Sequence, residues 1–341
     1  MRHVLWCSRD VNANFLKLKY LIMKFISIPK NGSSWRGRLP YSFSTESDEP
    51  QDVTVEILNH TTGSLLGTMR LYGVVGGEVD IAPYVRPHVT MEPYETTKPA
   101  ELMVSPSAIS VEVRIGDVVS GARVFFRSEF NYNIVGFLSS KPGSQPMLNG
   151  ETIRLTLFAI SKLEASVTIL GDEEFTIKCE AQTYGMPMEF VVPAPSVKDA
   201  VGVNITLRCD GKRSLVYTYN FVPRTNSAQR LVWYSANGGV ESYLFCHAMH
   251  LNYSVSKSED GICGAGSVDG RVRYRLCSGY ELQSEMDRIS QLLLSPKLYR
   301  EVDGVCREVE LESRDIEFDT KGLLHTLKLD LREKWEGGKL W

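Results

Sequence analysis

The chain reads as mainly β, with two β-sandwich-like domains followed by a small α+β C-terminal domain with one helix. Three observations predict this. Short apolar runs with strand alternation recur at the close spacing of sandwiches or barrels. Clear helical periodicity falls only in the last ninety residues. The segment Arg230–Phe245, RLVWYSANGGVESYLF, joins two apolar strands through an Asn-Gly-Gly turn, and neither strand has a polar face.

Taken in order, residues 1–22 are an N-terminal extension or follow an upstream start, because Met23 opens the smoother segment MKFISIPKNGSSW. Lys17, Lys19 and Lys24 interrupt the apolar stretches there, and no small-residue cleavage site follows, so the segment is a poor secretory signal. Residues 23–136 are the first sandwich. Its strands are Asp52–Leu58, Ser64–Tyr72, Glu78–Ile81, Ala108–Ile115 and Val118–Arg127, with His60-Thr61-Thr62-Gly63 as a hairpin turn. The Pro- and Thr-rich stretch Pro87–Pro106 is long for a compact domain. It is expected to be either functional or in contact with a neighbour, to be cut by protease in free protein and to be protected in an assembly.

Residues 137–150 concentrate Pro, Gly and Ser and read as a linker or long loop. Residues 151–250 form the second sandwich, from Thr152–Ala159, Ala165–Leu170, Glu174–Ala181, Met188–Val192, Gly202–Cys209, Ser214–Phe221 and the apolar hairpin. Strand pairing there is expected to put Leu231, Trp233, Leu244 and Cys246 on one face and Val232, Tyr234, Tyr243 and Phe245 on the other. Both faces then need cover, from the inside of a sandwich or from another subunit. Trp233, Tyr234, Asn237, Gly238, Gly239, Tyr243 and Phe245 are accordingly the candidate assembly or binding interface.

Residues 251–341 are the α+β closing domain. Arg271, Arg273 and Arg275 alternate with Val272, Tyr274 and Leu276, giving a strand with one wet face and one buried face. The three guanidinium groups join the candidate interface, since a ladder of them could grip phosphate, sulfate or an acidic neighbour. Ser278 with Glu281 fits a capping box for a helix through Leu282, Met286, Ile289 and Leu293, and Pro296 stops it. Leu327, Leu329 and Leu331 alternate with Lys328, Asp330 and Arg332 in a closing strand.

The 341 residues are 43% hydrophobic and 23% charged, with a formal net charge of -3, which argues against a disordered chain and against a generally basic nucleic-acid surface. No apolar run is long enough to span a bilayer. The seven cysteines are widely spaced and contain no C-x-x-C, so neither a disulfide framework nor a zinc site is expected. Motifs for chemistry are weak. Cys246-His247-Ala248-Met249-His250 needs a further metal ligand from elsewhere. Gly261–Gly270, GICGAGSVDG, fails the G-x-G-x-x-G spacing, and Ser267 lacks a G-x-S-x-G elbow. The groups Asp172-Glu173-Glu174 and Glu259-Asp260 suit surface turns better than a glycosidase pair. No catalytic residue, metal or cofactor is expected.

Arg230-Leu231-Val232-Trp233-Tyr234 with Gly238-Gly239 and Tyr243-Leu244-Phe245 resembles a signature, approximately R-L-x-W-x-N-x-x-G-G-x-x-x-Y-x-F, of virion structural proteins encoded by phages and prophages of Bacteroidetes. The same proteins carry an early block similar to Leu71-Tyr72-Gly73 with Val79–Arg86, VDIAPYVR, and a late block similar to Leu292–Tyr299, LLLSPKLY. The three blocks in order cover most of the chain from Met23 onward, and the specificity lies in that order. The chain departs from the pattern by placing Ser235-Ala236 before Asn237, which moves the asparagine toward the glycines. The resemblance implies a tail-associated or baseplate role in a virion or tail-like particle assembled in the bacterial host cytoplasm. Its expected partners are other virion or tail proteins and copies of itself, with no nucleic acid and no membrane. Two other classes stand beside it. One is a cell-surface glycan-binding module or adhesin that uses the aromatic hairpin as a stacking platform, with a host-surface glycan as partner. The other is a hydrolase built on the scattered carboxylates.

Overall fold

The computed structural model describes residues 23–335 except 47, 130–135, 141–142, 149, 172–174, 182–184, 194–199, 210–211, 224, 226–227, 259–266 and 313–316. The side chains of 175, 209, 212–215, 247–251, 253–258, 267–271, 317–320 and 334–335 also fall outside the description. The proposed extension 1–22 therefore lies outside it, as do Asp172-Glu173-Glu174, Glu259-Asp260 and most of the Gly261–Gly270 loop.

The protein is mainly β, arranged as two sandwiches and a closing α+β unit. In the first sandwich, Gln51–Asn59 alternates Val53, Val55 and Ile57 inward with Asp52, Thr54 and Glu56 outward. It sits between Leu65–Val74 and Ile109–Ile115 in a sheet that continues to Arg123–Phe126 and Ser33–Ser34. A three-stranded sheet of Lys24–Ser27, Pro40–Ser44 and Gly76–Asp80 covers it, bringing Tyr41, Phe43 and Val79 into the same core. The turn after Asn59 forms as the sequence predicts: the Asn59 carboxamide accepts the N–H groups of Thr61 and Thr62, and Gly63 takes φ +70°.

The second sandwich packs a four-stranded sheet, in the order Gly136–Phe137, Ile153–Phe158, Pro187–Val192, Glu101–Val104, against a five-stranded one. The latter runs Ser144–Leu148, Lys212–Val222, Gly202–Cys209, Leu163–Leu170, Phe175–Glu180. Two segments read as loops are edge strands here. Ser144–Leu148, inside the stretch expected to be a linker, pairs parallel with Lys212–Val222, and Pro146 is tolerated because the strand has a neighbour on one side only. Glu101–Val104, inside the Pro- and Thr-rich stretch, pairs with Pro187–Val192. Part of that stretch is thus tied down by this chain itself, as a strand and not as a loop.

The closing unit is one sheet of nine strands among the described residues. Its main path is Val240–Phe245, Gln229–Tyr234, Leu298–Val302, Val305–Leu311, Leu324–Trp335, Ser267–Cys277, His247–Ser258. The apolar hairpin, counted with the second sandwich from the sequence, opens this sheet by pairing Gln229–Tyr234 with Leu298–Val302. The helix Gln283–Ser290 lays Met286 and Ile289 on a core with Trp233, Phe245, Leu329 and Leu331. Its capping box does not form. Leu282 is the N-cap residue, the Ser278 hydroxyl accepts from Leu327 N, and the Glu281 carboxylate accepts the Tyr243 hydroxyl at 2.6 Å. Both polar side chains serve the sheet, because the chain makes a short strand, Glu281–Leu282, before the helix begins.

Candidate functional site at the buried junction

The hairpin is buried on both faces, as its sequence demands, but with a different partition of side chains. The observed register pairs Leu231 with Tyr243, Trp233 with Glu241 and Tyr234 with Val240. Leu231, Trp233, Tyr243 and Phe245 therefore share the face toward the helix. Val232, Tyr234 and Val240 share the opposite face with Tyr299 and Met91. The five-residue connection sets this parity: Ser235 N donates to Gly239 O, and Gly238 N donates to Ser235 O. Gly238 has φ +85°, and a Cβ there would stand 2.7 Å from Arg127 Cβ and from Phe126 Cζ. At Gly239 a Cβ would meet Leu138 O at 2.6 Å. The glycines let this turn seat against the first sandwich and against the Leu138–Ser139 backbone. Asn237 O accepts from the Ser128 hydroxyl at 3.2 Å.

Cover for the hairpin comes from the same chain. In the four-stranded sheet, Leu155, Leu157, Met188 and Phe190 point into the sandwich core, and the alternate residues Arg154, Thr156 and Glu189 emerge on the other face, also buried. Thr156 Oγ1 accepts from Val240 N at 2.7 Å, and the Ser139 hydroxyl donates to Val240 O at 2.8 Å. Glu189 accepts the Tyr234 hydroxyl at 2.7 Å and the Ser105 hydroxyl at 3.3 Å.

Buried ion pairs complete the junction. Arg154 donates to Glu301 at 3.0 Å, with the two side chains 2% and 1% exposed, and Thr152 N donates to the same carboxylate at 2.6 Å. Arg154 also reaches Gly304 O at 3.1 Å, a carbonyl presented by the Asp303-Gly304 turn, where both residues have positive φ. Arg230 pairs with Glu151 at 2.8 Å and donates to Pro146 O at 2.9 Å. Arg288 pairs with Glu241 at 3.3 Å and lies 5.9 Å from the centre of the Trp233 ring. Each pair links a different part of the closing sheet or its helix to a strand or turn from outside it, or to the hairpin. Burial alone would lower the Arg154 pKa; Cys306 and the carboxylates of Glu301, Glu189 and Glu95 reverse that and raise it. Burial pushes the Glu189 carboxyl up from its ordinary 4.5, against the hydrogen bonds from Tyr234, Tyr94 and Ser105 that favour the anion.

That shift has a measurable sign. The native state holds the Glu189 proton more tightly than the unfolded chain. The contribution to stability is therefore present below the ordinary carboxyl pKa and is lost as pH rises through the raised value. Glu189→Gln, which cannot ionise, should gain stability relative to the wild type between pH 4 and pH 7, read from urea midpoints at each pH. A difference that stays flat across this range would show that Glu189 titrates normally.

The segment after Pro87 seals the outside. Met91 O accepts the Tyr299 hydroxyl at 2.9 Å, Glu92 pairs with Lys297 at 2.9 Å, and Glu95 accepts from Cys306 N at 3.1 Å. Beneath it lies a cleft of about 600 Å³, lined by Tyr94, Lys98, Glu101, Thr152, Arg154 and Asp303 among others. Its chemistry is quiet. Lys98 binds Glu101, and with the Thr96 hydroxyl it holds that carboxyl below the usual range. A second cleft, of about 620 Å³, includes Cys306, whose thiol is pushed up to about 12 by burial and so stays protonated at neutral pH.

The sequence-predicted interface residues thus divide. Trp233, Tyr234, Tyr243 and Phe245 are buried in the chain's own core, so the interface they build is internal, and they offer no exposed platform for a sugar. Asn237, Gly238 and Gly239 form the turn at its tip. Arg273 and Arg275 are exposed, but Arg273 pairs with Glu312 at 3.2 Å, and Arg275 grips Asp330 with two bonds of 2.7 and 2.9 Å. The side chain of Arg271 lies outside the described residues, as do those of His247 and His250 beside Cys246. Among the described residues no group of three or more His, Cys, Asp or Glu side chains gathers to hold a metal, and no helix is long and apolar enough to cross a membrane. Sequence reasoning missed Glu151, Arg154, Glu189, Glu241, Arg288 and Glu301. The available signal was a charged residue inside an apolar strand, as in Pro187–Val192, PMEFVV, where Glu189 interrupts a run that is otherwise fully apolar.

No protein-family model matches the chain, and no curated protein does. Among solved structures, a Salmonella alpha-2-macroglobulin mutant overlaps 93% of this chain at 9% identity with a TM-score of 0.20, and the chain spans 20% of that protein's length. CBD12 from CALX1.2 overlaps 56% of this chain and 83% of its own at 9% identity, with a TM-score of 0.18. The IG1 and IG2 domains of DIP-gamma overlap 60% of this chain and 98% of their own at 8% identity, also with a TM-score of 0.18. Overlaps this slight carry no argument about what the chain does.

Proposed function

We propose that the protein is a non-enzymatic structural component of a phage or prophage tail or baseplate-like particle, acting through protein–protein assembly interfaces. The observation that carries the reading is the use made of buried charge. Arg154, Glu301, Arg230 and Glu151 are consumed in pairing the second sandwich with the closing sheet, and Arg288 and Glu241 in holding the helix to the hairpin. A chain that spends its buried ionisable groups on internal joints is suited to transmit load and hold a shape, and leaves recognition to its outer strand edges. The three-block resemblance supplies the particle. The partners are then neighbouring virion proteins and copies of this chain, met in the host cytoplasm. Mass spectrometry of purified particles should find the protein at a fixed ratio to the other components. Absence from the particles, together with saturable binding of the intact chain on a glycan array, would replace this reading with that of an adhesin.

A further inference from the structure

The strand Leu65–Val74 ends its sheet, with Gln51–Asn59 on one side and no strand on the other among the described residues. Its sequence, LLGTMRLYGV, carries one charge and neither proline nor lysine, and its register irregularities fall at the two ends, around Leu66 and around Tyr72-Gly73, which leaves Gly67–Leu71 as a regular, unguarded edge. Tyr72 is 71% exposed and Leu65 is 55% exposed. On the outward face of this sheet, Thr68 stands opposite Glu56, and Arg70 stands opposite Thr54. Glu56 also has Arg114 on its other side, but Arg114 turns to Glu112 at 2.9 Å. Neither Glu56 nor Arg70 has an ion-pair partner among the described residues.

We propose that this edge pairs with the same edge of a second copy, antiparallel about a two-fold axis at Met69, so that Arg70 of each copy reaches Glu56 of the other across Thr68. The inference deepens the assembly reading above and rests on it. A two-fold axis perpendicular to the sheet keeps each outward face outward, so the only registers available shift in steps that preserve side-chain parity. Centred on Met69, Arg70 faces Thr68 of the partner strand, with Glu56 of that copy one strand further, at a backbone separation of about 10 Å that an arginine and a glutamate can bridge. Centred on Arg70, the two guanidinium groups would oppose each other directly, which is unfavourable. Between these two registers the charges select the first.

The test is sedimentation of the full chain with its charge variants. The wild type should form a dimer with a measurable dissociation constant. Arg70→Glu should weaken it by about tenfold, since two symmetry-related pairs turn repulsive, and Glu56→Arg combined with Arg70→Glu should restore it. Hydrogen exchange should show residues 65–74 more protected at high protein concentration, and Arg70→Glu should keep the wild-type circular dichroism because Arg70 is exposed. A wild type that stays monomeric, a dimer indifferent to Arg70→Glu, or a loss not repaired by the reversed pair would each overturn the proposal. The two readings fail separately: dimers with the expected charge behaviour but absence from particles would remove the tail role alone, and monomers present in particles would remove this edge pairing alone.

Discussion

Glu301→Ala is expected to cost about 3–5 kcal/mol of unfolding free energy, because it leaves the Arg154 guanidinium buried without its anion. The pair is almost wholly shielded from water, and Glu301 also takes the Thr152 amide, so truncation strands one cation and one backbone donor together. Arg154 would keep Gly304 O, which limits but does not replace the loss. Because the pair joins the second sandwich to the closing sheet, the variant should also broaden or split the thermal transition as the two units begin to melt apart. Converting both partners to apolar residues of similar volume, Arg154→Met with Glu301→Leu, should recover much of the stability, since no charge is then left unpaired. Urea denaturation of the three proteins checks this. A loss below about 1 kcal/mol in Glu301→Ala would mean that water enters the junction freely.

Trp233→Ala is expected to cost about 3–5 kcal/mol by the same measurement. The side chain is fully buried among Leu231, Phe245, Met286 and Ile289, on the helix side of the hairpin. Removing the indole opens a cavity at the centre of the closing unit and takes away the ring under Arg288. Trp233→Phe should cost less, about 1–2 kcal/mol, because the aromatic contacts are partly kept and the indole Nε1 has no hydrogen-bond partner to lose. A near-neutral Trp233→Ala would mean that the hairpin is not core.

These two residues also show what could be read in advance. Trp233 was legible as a buried aromatic because it sits in a run without polar alternation, a pattern that only a doubly covered strand tolerates. Its cover was not legible. Apolar faces bind whatever closes over them, and the same pattern fits another subunit or, as found, the chain's own second sandwich and helix. Arg154 was passed over as an ordinary strand residue, since a lone arginine gives no sign of a glutamate 147 positions later. The capping box failed for a related reason: Ser278 and Glu281 satisfy the local rule, but a hydroxyl and an amide from distant strands offered them better partners.

The sequence by itself determined the strand-rich class, most strand positions, the glycine-hinged turn, the single substantial helix and the alternation of Arg273 and Arg275 against Val272 and Tyr274. All of these follow from periodicity and from the backbone freedom of glycine, which act over a few residues. Only the tertiary structure decided that Glu101–Val104 and Ser144–Leu148 are edge strands, that the hairpin belongs to the closing sheet, and that four buried charges lock the second sandwich to that sheet while Arg288 and Glu241 hold its helix to the hairpin. Those outcomes depend on pairing between segments far apart in the chain, where register and burial are settled by the whole packed molecule.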